Sequence, residues 1–175
     1  GDLVPDAVNV KGGAVHEEIR PSLPLVEKMA EIATAYAGGL PQTMEVSVLG
    51  EIAVYDAAVL ATSALKGAIE TTVDEDVTYV NAPKLAEERG MSATVKNDPH
   101  CEQFRSSIKL HVGMADGRSF DVEGTLVGIR KVEKIVSIDG FGLDLSPGKH
   151  MIFLRYMRSE EHTSELQSLR HLVCR

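Results

Sequence analysis

The chain has 175 residues and a formal net charge of -8, enough length for one domain with a real core and an acidic surface around it. Without a basic patch, that surface argues against partners such as nucleic acid or anionic membranes, and no apolar run is long enough to span a bilayer. Aromatic residues make up 5% with no Trp, which points to an aliphatic core, and Cys101 is the single cysteine before the C-terminal tail, which suits a reducing cytoplasm.

Pro21-Ser22-Leu23-Pro24 opens the first predicted helix, since proline is tolerated in the first turn. Leu25, Met29, Ile32 and Tyr36 recur on one helical stripe, and Gly38-Gly39 ends it. Met44, Val46 and Val48 alternate with Glu45 and Ser47, as in a half-buried strand. Asp56 is a candidate N-cap for a second helix to about Glu70, with Leu60, Ala64 and Ala68 inward. Residues 77–80 read as a short apolar strand. Asn81 then caps a short helix with Pro83 in its first turn and Gly90 as its stop.

Beyond that helix the pattern becomes all-β. Residues 91–96 read as a strand and 97–105 as a polar loop. Ile108, Leu110, Val112 and Met114 alternate with Lys109 and His111. Ala115-Asp116-Gly117 supplies a turn, and Phe120, Val122 and Leu126 return the chain. Residues 131–138, the Asp139-Gly140 turn and residues 142–145 make another hairpin. Long helices followed by a meander give an α+β class, with helices on one face of a largely antiparallel sheet.

Three segments carry a family resemblance: Thr78-Tyr79-Val80-Asn81-Ala82-Pro83-Lys84-Leu85-Ala86-Glu87-Glu88-Arg89-Gly90, Val132-Glu133-Lys134-Ile135-Val136-Ser137-Ile138-Asp139-Gly140-Phe141, and Met151-Ile152-Phe153-Leu154-Arg155-Tyr156. In that order and spacing, with Asp144-Leu145 between the last two, they resemble D-3-phosphoglycerate dehydrogenase of the long, three-part bacterial type. The matching region is its intervening, allosteric substrate-binding domain, which lies between the catalytic core and a C-terminal ACT domain. The resemblance covers residues 1–157. It implies that 1–10 are the tail of the catalytic domain, 11–147 the regulatory domain and 148–157 the first strand of a truncated ACT domain.

The same resemblance implies a cytoplasmic parent enzyme that oxidises 3-phospho-D-glycerate to 3-phosphooxypyruvate with NAD, the entry to L-serine. The fragment itself is expected to hold no catalytic residue, no cofactor and no metal. It would contribute homo-oligomer contacts and respond to a phosphorylated small-molecule effector. The related domain of a bacterial L-serine dehydratase, an iron–sulfur lyase, is the alternative; Leu3-Val4-Pro5-Asp6-Ala7-Val8-Asn9-Val10 argues against it by matching a dehydrogenase exit. A free-standing oligomerisation module is a third reading.

The C-terminus has another expected origin. Arg158-Ser159-Glu160-Glu161-His162-Thr163-Ser164-Glu165-Leu166-Gln167-Ser168 back-translates to the start of a common sequencing-library adapter. After a gap that fits a short index, His171-Leu172-Val173-Cys174-Arg175 reads as the adapter's next constant part. Residues 158–175 are therefore expected to be non-native, and His162, His171 and Cys174 enter no site. The tail carries three basic and three acidic residues, so the rest keeps the full net charge of -8.

Candidate chemistry is sparse. His100-Cys101 beside Asp98 lacks the second ligand pair that zinc needs and reads as a polar loop. His111 reads as a solvated strand residue. Gly140-x-Gly142 follows a strand but opens no helix, so it is a hairpin turn and no dinucleotide fingerprint. Asn81 is either an N-cap or, by the resemblance, a ligand or subunit contact. Lys134 falls in register with Val132, Val136 and Ile138, an apolar face on which an ammonium must snorkel or meet an anion. The resemblance implies the anion: Lys134 matches a cation that holds a phosphate-bearing effector. Phe141 and Ser146 stand where relatives carry Arg, so the site is either lost or rebuilt with Lys131, Lys149 or residues from a neighbouring subunit.

Overall fold

The computed structural model describes residues 15–148, 151–153 and 172–174, and for 152, 153 and 172–174 the backbone only. Helix α1 (Ser22–Ala37) follows Pro21 and stops where Gly38 turns left-handed at φ 74°, its amide returning to the carbonyls of Thr34 and Ala35. Its expected stripe is buried at Leu25, Met29 and Ile32, while Tyr36 is half-buried. Helix α2 (Val59–Glu70) ends where the sequence places it. Its start differs, because Asp56 accepts the Ala58 amide in a short Asx turn and the helix begins beyond, with no side-chain cap.

The strands are β1 (Thr43–Gly50), β2 (Ser92–Asp98), β3 (Ser106–Gly113), β4 (Ser119–Val127), β5 (Val132–Ile138) and β6 (Phe141–Leu145). They form one sheet in the order β2-β1-β3-β4-β5-β6, antiparallel throughout except for the parallel β1–β2 pair. A parallel pair needs a long crossover, and the 3-10 turn Glu51–Val54, α2 and α3 (Ala82–Glu88) supply it. Helix α1 covers β3, β4 and β5, and α2 covers β1 and β2, all on one face. The α+β class holds, with Met44, Val46, Val48, Leu110, Val112 and Val122 buried under the helices.

Two glycines let backbones meet. A Cβ on Gly67 of α2 would collide with the Glu27 backbone of α1, so glycine sets the spacing of that helix pair. Gly50, at φ 83°, has a Cβ position blocked by the Arg105 carbonyl, where the Glu51 amide also donates at 3.2 Å. The β5–β6 turn is the two-residue type expected, with Asp139 and Gly140 both at positive φ (51° and 78°). Tyr36 of α1 holds it from below, donating to Asp139 Oδ2 at 2.7 Å.

Three expectations change. Residues 77–80 form no strand: they are a turn in which Val77 is buried and Val80 is 82% exposed. Strand β5 is bulged, since Glu123 pairs with Ser137 and Gly124 with Ile135, leaving Val136 unmatched. Of the expected strand 150–156, β7 (Met151–Phe153) is described, and it pairs antiparallel with β8 (Leu172–Cys174) in the stretch read as adapter-derived. The expected catalytic tail at 1–10 lies outside the described residues.

Candidate functional site

The bulge decides where Lys134 points. It brings both Ile135 and Ile138 onto the buried face, so Lys134, paired with Thr125 on β4, projects from the sheet face opposite the helices. The apolar-face placement is thus corrected. Its Nζ donates to Asp144 Oδ1 at 2.7 Å, with the carboxylate 81% exposed. An exposed pair of this kind contributes little and is easily exchanged. Phe141 and Ser146 are exposed, and no cation stands at either position.

Asn81 occupies the N-cap position of α3 but does not cap it. Its Oδ1 accepts from the Thr78 amide at 2.6 Å and the Thr78 hydroxyl at 3.0 Å, and its Nδ2 donates to the Asp76 carbonyl at 3.0 Å. The side chain ties the preceding turn together. Asn81 and Lys134 are not brought together: one stands where α3 meets α2, the other on β5 near the far edge of the sheet.

His111 is exposed, as expected, and its Nδ1 lies 2.7 Å from Asp121 Oδ1, while Lys109 meets the other oxygen at 2.9 Å. Burial pushes the Asp121 carboxyl up, but hydrogen bonds from Lys109 and His111 outweigh it and hold the group below its usual range. Cys101 Sγ lies 3.5 Å from Ser107 Oγ in the loop before β3. Among the described residues, no three His, Cys, Asp or Glu side chains gather as a metal site would need, and no helix is long and apolar enough to cross a membrane. Gly140 and Gly142 sit in a hairpin that presents no helix start to a pyrophosphate, so this part of the chain does not fit NAD.

The polar core between α1, α2 and the turn before α3 was missed by sequence reasoning. The Tyr79 hydroxyl donates to Glu27 Oε1 and lies 3.3 Å from Ser63 Oγ; Lys66 Nζ donates to Glu27 Oε2 at 2.8 Å and to Glu70 at 2.9 Å. Burial, then the Glu27 hydrogen bond, pushes the Tyr79 hydroxyl well above the ordinary tyrosine value. Burial works against the Lys66 ammonium, but Glu27 and Glu70 outweigh it and raise its pKa. A Tyr inside an apparently apolar strand is the one signal that sequence offered.

A half-open cleft of about 800 Å3 lies where the start of α1, the 3-10 turn, the loop before β3 and the β4–β5 connection meet. Glu18, Glu51, Arg105 and Lys131 supply its charges, and Tyr55 and Phe104 its aromatic wall.

Fold and sites together define a two-layer α+β domain with polar surface chemistry and a cleft, and with no catalytic constellation among the described residues. The family model described as "D-3-phosphoglycerate dehydrogenase intervening domain" matches residues 18–139, and the chain belongs to that family. Among its relatives, D-3-phosphoglycerate dehydrogenase of Mycobacterium leprae is 40% identical over 157 residues, covering 90% of this chain and 30% of that protein. The enzymes of the same name from Synechocystis sp. and Bacillus subtilis are 29% and 26% identical, over 84% and 79% of the chain and 27% and 26% of their own lengths. The chain thus spans about a third of the curated relatives it matches.

Proposed function

We propose that this domain is the regulatory and oligomerisation part of a D-3-phosphoglycerate dehydrogenase, an enzyme that oxidises 3-phospho-D-glycerate to 3-phosphooxypyruvate with NAD on the route to L-serine. The observation that carries the reading is the intervening-domain match across residues 18–139. The relatives given above are dehydrogenases by name, which favours this reading over the serine dehydratase domain. The catalytic and NAD-binding parts belong to the remaining length of such an enzyme. Here the domain joins subunits into a homo-oligomer and answers a phosphorylated effector.

Lys134 is the effector contact in this proposal. A phosphate would take the place of Asp144, exchanging a carboxylate partner for a more highly charged one. Asn81 acts less directly, by holding the turn from Asp76 to Thr78. Lys134→Met removes the charge and keeps the stem. It should weaken 3-phosphoglycerate binding by about 10- to 100-fold, as expected for loss of a charge-assisted hydrogen bond. Ligand-induced melting shifts in wild type and variant provide the measurement. No shift in the wild type at millimolar 3-phosphoglycerate would retire the Lys134 site, and a monomer mass by light scattering would count against the oligomer.

A further inference from the structure

The cleft at the start of α1 has a charge arrangement that selects a kind of ligand. Lys131 Nζ donates to Glu18 Oε2 at 2.9 Å, linking the β4–β5 connection to the turn before α1. Arg105 Nε donates to Glu51 Oε2 at 2.6 Å, linking the loop before β3 to the 3-10 turn. Both pairs are solvent-accessible, and such pairs exchange partners at little cost. A purely anionic ligand would gain a cation and leave Glu18 or Glu51 to water. A purely cationic one would leave Lys131 or Arg105 to water. A ligand with one charge of each sign leaves all four groups paired.

A second, independent observation is Ser22. It lines the cleft, is fully buried, and its Oγ has no hydrogen-bond partner. Buried hydroxyls without partners are uncommon. The serine and threonine hydroxyls beside it are already used: Thr125 Oγ1 donates to the Ser106 carbonyl at 2.7 Å, Ser107 Oγ to Glu123 at 2.8 Å and Ser106 Oγ to the Arg105 carbonyl at 2.8 Å. Ser22 is also the first residue of a 16-residue helix with no acid in its first turn; the Ser22 and Leu23 amides donate to the Ile19 and Arg20 carbonyls, so the hydroxyl is the group a ligand would meet there. Across the cleft, Tyr55 stacks on His16 with ring centroids 3.9 Å apart, which fixes an aromatic surface beside the charged rim.

We propose that this cleft binds a small zwitterion of the α-amino-acid class. The carboxylate lies toward Ser22 and Lys131, the ammonium toward Glu51 and Glu18, and the side chain against Tyr55 and Phe104. Lys134 is not among the cleft's residues, so this site stands or falls independently of the effector contact proposed above.

The test is a titration of the 15N-labelled 175-residue chain with L-alanine and L-phenylalanine, followed by amide chemical shifts. Sodium propionate and ethylammonium chloride, the separated halves of alanine, serve as controls. The amides of Ser22, Arg105 and Lys131 should shift saturably with an amino acid, and about tenfold more weakly with either half. Ser22→Ala and Lys131→Met should each weaken binding several-fold with the spectrum otherwise retained, and Lys134→Met should leave it unchanged. No saturable shift at tens of millimolar amino acid would overturn the proposal. Propionate binding as tightly as alanine, or variants that bind like wild type, would overturn it equally.

Discussion

Tyr79 donates its phenolic proton to Glu27, tying the turn before α3 to the middle of α1 across a long stretch of sequence. The same carboxylate takes Lys66 of α2 on its other oxygen, so one side chain joins three segments of the helical layer. A half-buried carboxylate tolerates this position because both oxygens are matched.

Tyr79→Phe removes one partner of the part-buried Glu27 Oε1. The expected loss is about 1–3 kcal/mol of unfolding free energy, the range for an unsatisfied buried acceptor. Urea unfolding at neutral pH measures it. A loss near zero would mean that water replaces the hydroxyl and that the tie is dispensable.

The same pair sets an alkaline limit. Tyr79 has its pKa raised on folding, so the native state holds that proton longer than the unfolded chain does. Its contribution is intact at neutral pH and is lost as pH climbs past the ordinary tyrosine value of about 10 toward the higher folded one. Stability should therefore fall from about pH 10 upward, and fall less steeply in Tyr79→Phe. Lys66 shifts in the same direction, so part of the fall should persist in the variant. Parallel curves would disprove the assignment.

Gly67→Ala sets two effects against each other. Alanine favours a helix over glycine by about 1 kcal/mol. Here its methyl would enter the Glu27 backbone, which cannot yield as a flexible side chain can. Overpacking of about 1–3 kcal/mol should win. A lowered melting temperature is expected, and a raised one would show that α1 and α2 separate easily.

Deleting residues 158–175 should leave the melting temperature within measurement error. The deletion removes the three-residue strand β8, which runs alongside α1, and unpairs β7. A two-stranded ribbon of that size is marginal by itself, so little is expected to be lost with it. A loss of several degrees would instead give the tail a structural role.

What the sequence made legible was local. The period-two pattern of β1 and the Asp139-Gly140 turn carry their own geometry, so both were readable. The Asn81 cap was misread because its side chain had a closer use, at the Thr78 amide. The facing of Lys134 was misread because one unmatched residue, Val136, reverses the alternation, and a bulge leaves no mark in hydropathy. The partner of β2 was not readable at all, since a parallel pairing depends on where the crossover delivers the chain. The cleft had the same obscurity: Ser22, Glu51, Arg105 and Lys131 are far apart in sequence and meet only after folding.

The place of β1 between β2 and β3 has a cost in time. As the chain is synthesised, Met44, Val46 and Val48 emerge long before either flanking strand, β2 or β3, exists to pair with them. The β3–β6 meander can close through neighbouring hairpins within microseconds, but β1 must wait for distant sequence, and non-local pairing is slow. In that interval its two unpaired edges and its apolar face are open to other nascent chains. Yield on expression should accordingly depend on temperature and chaperone supply more than the final stability of the domain would suggest.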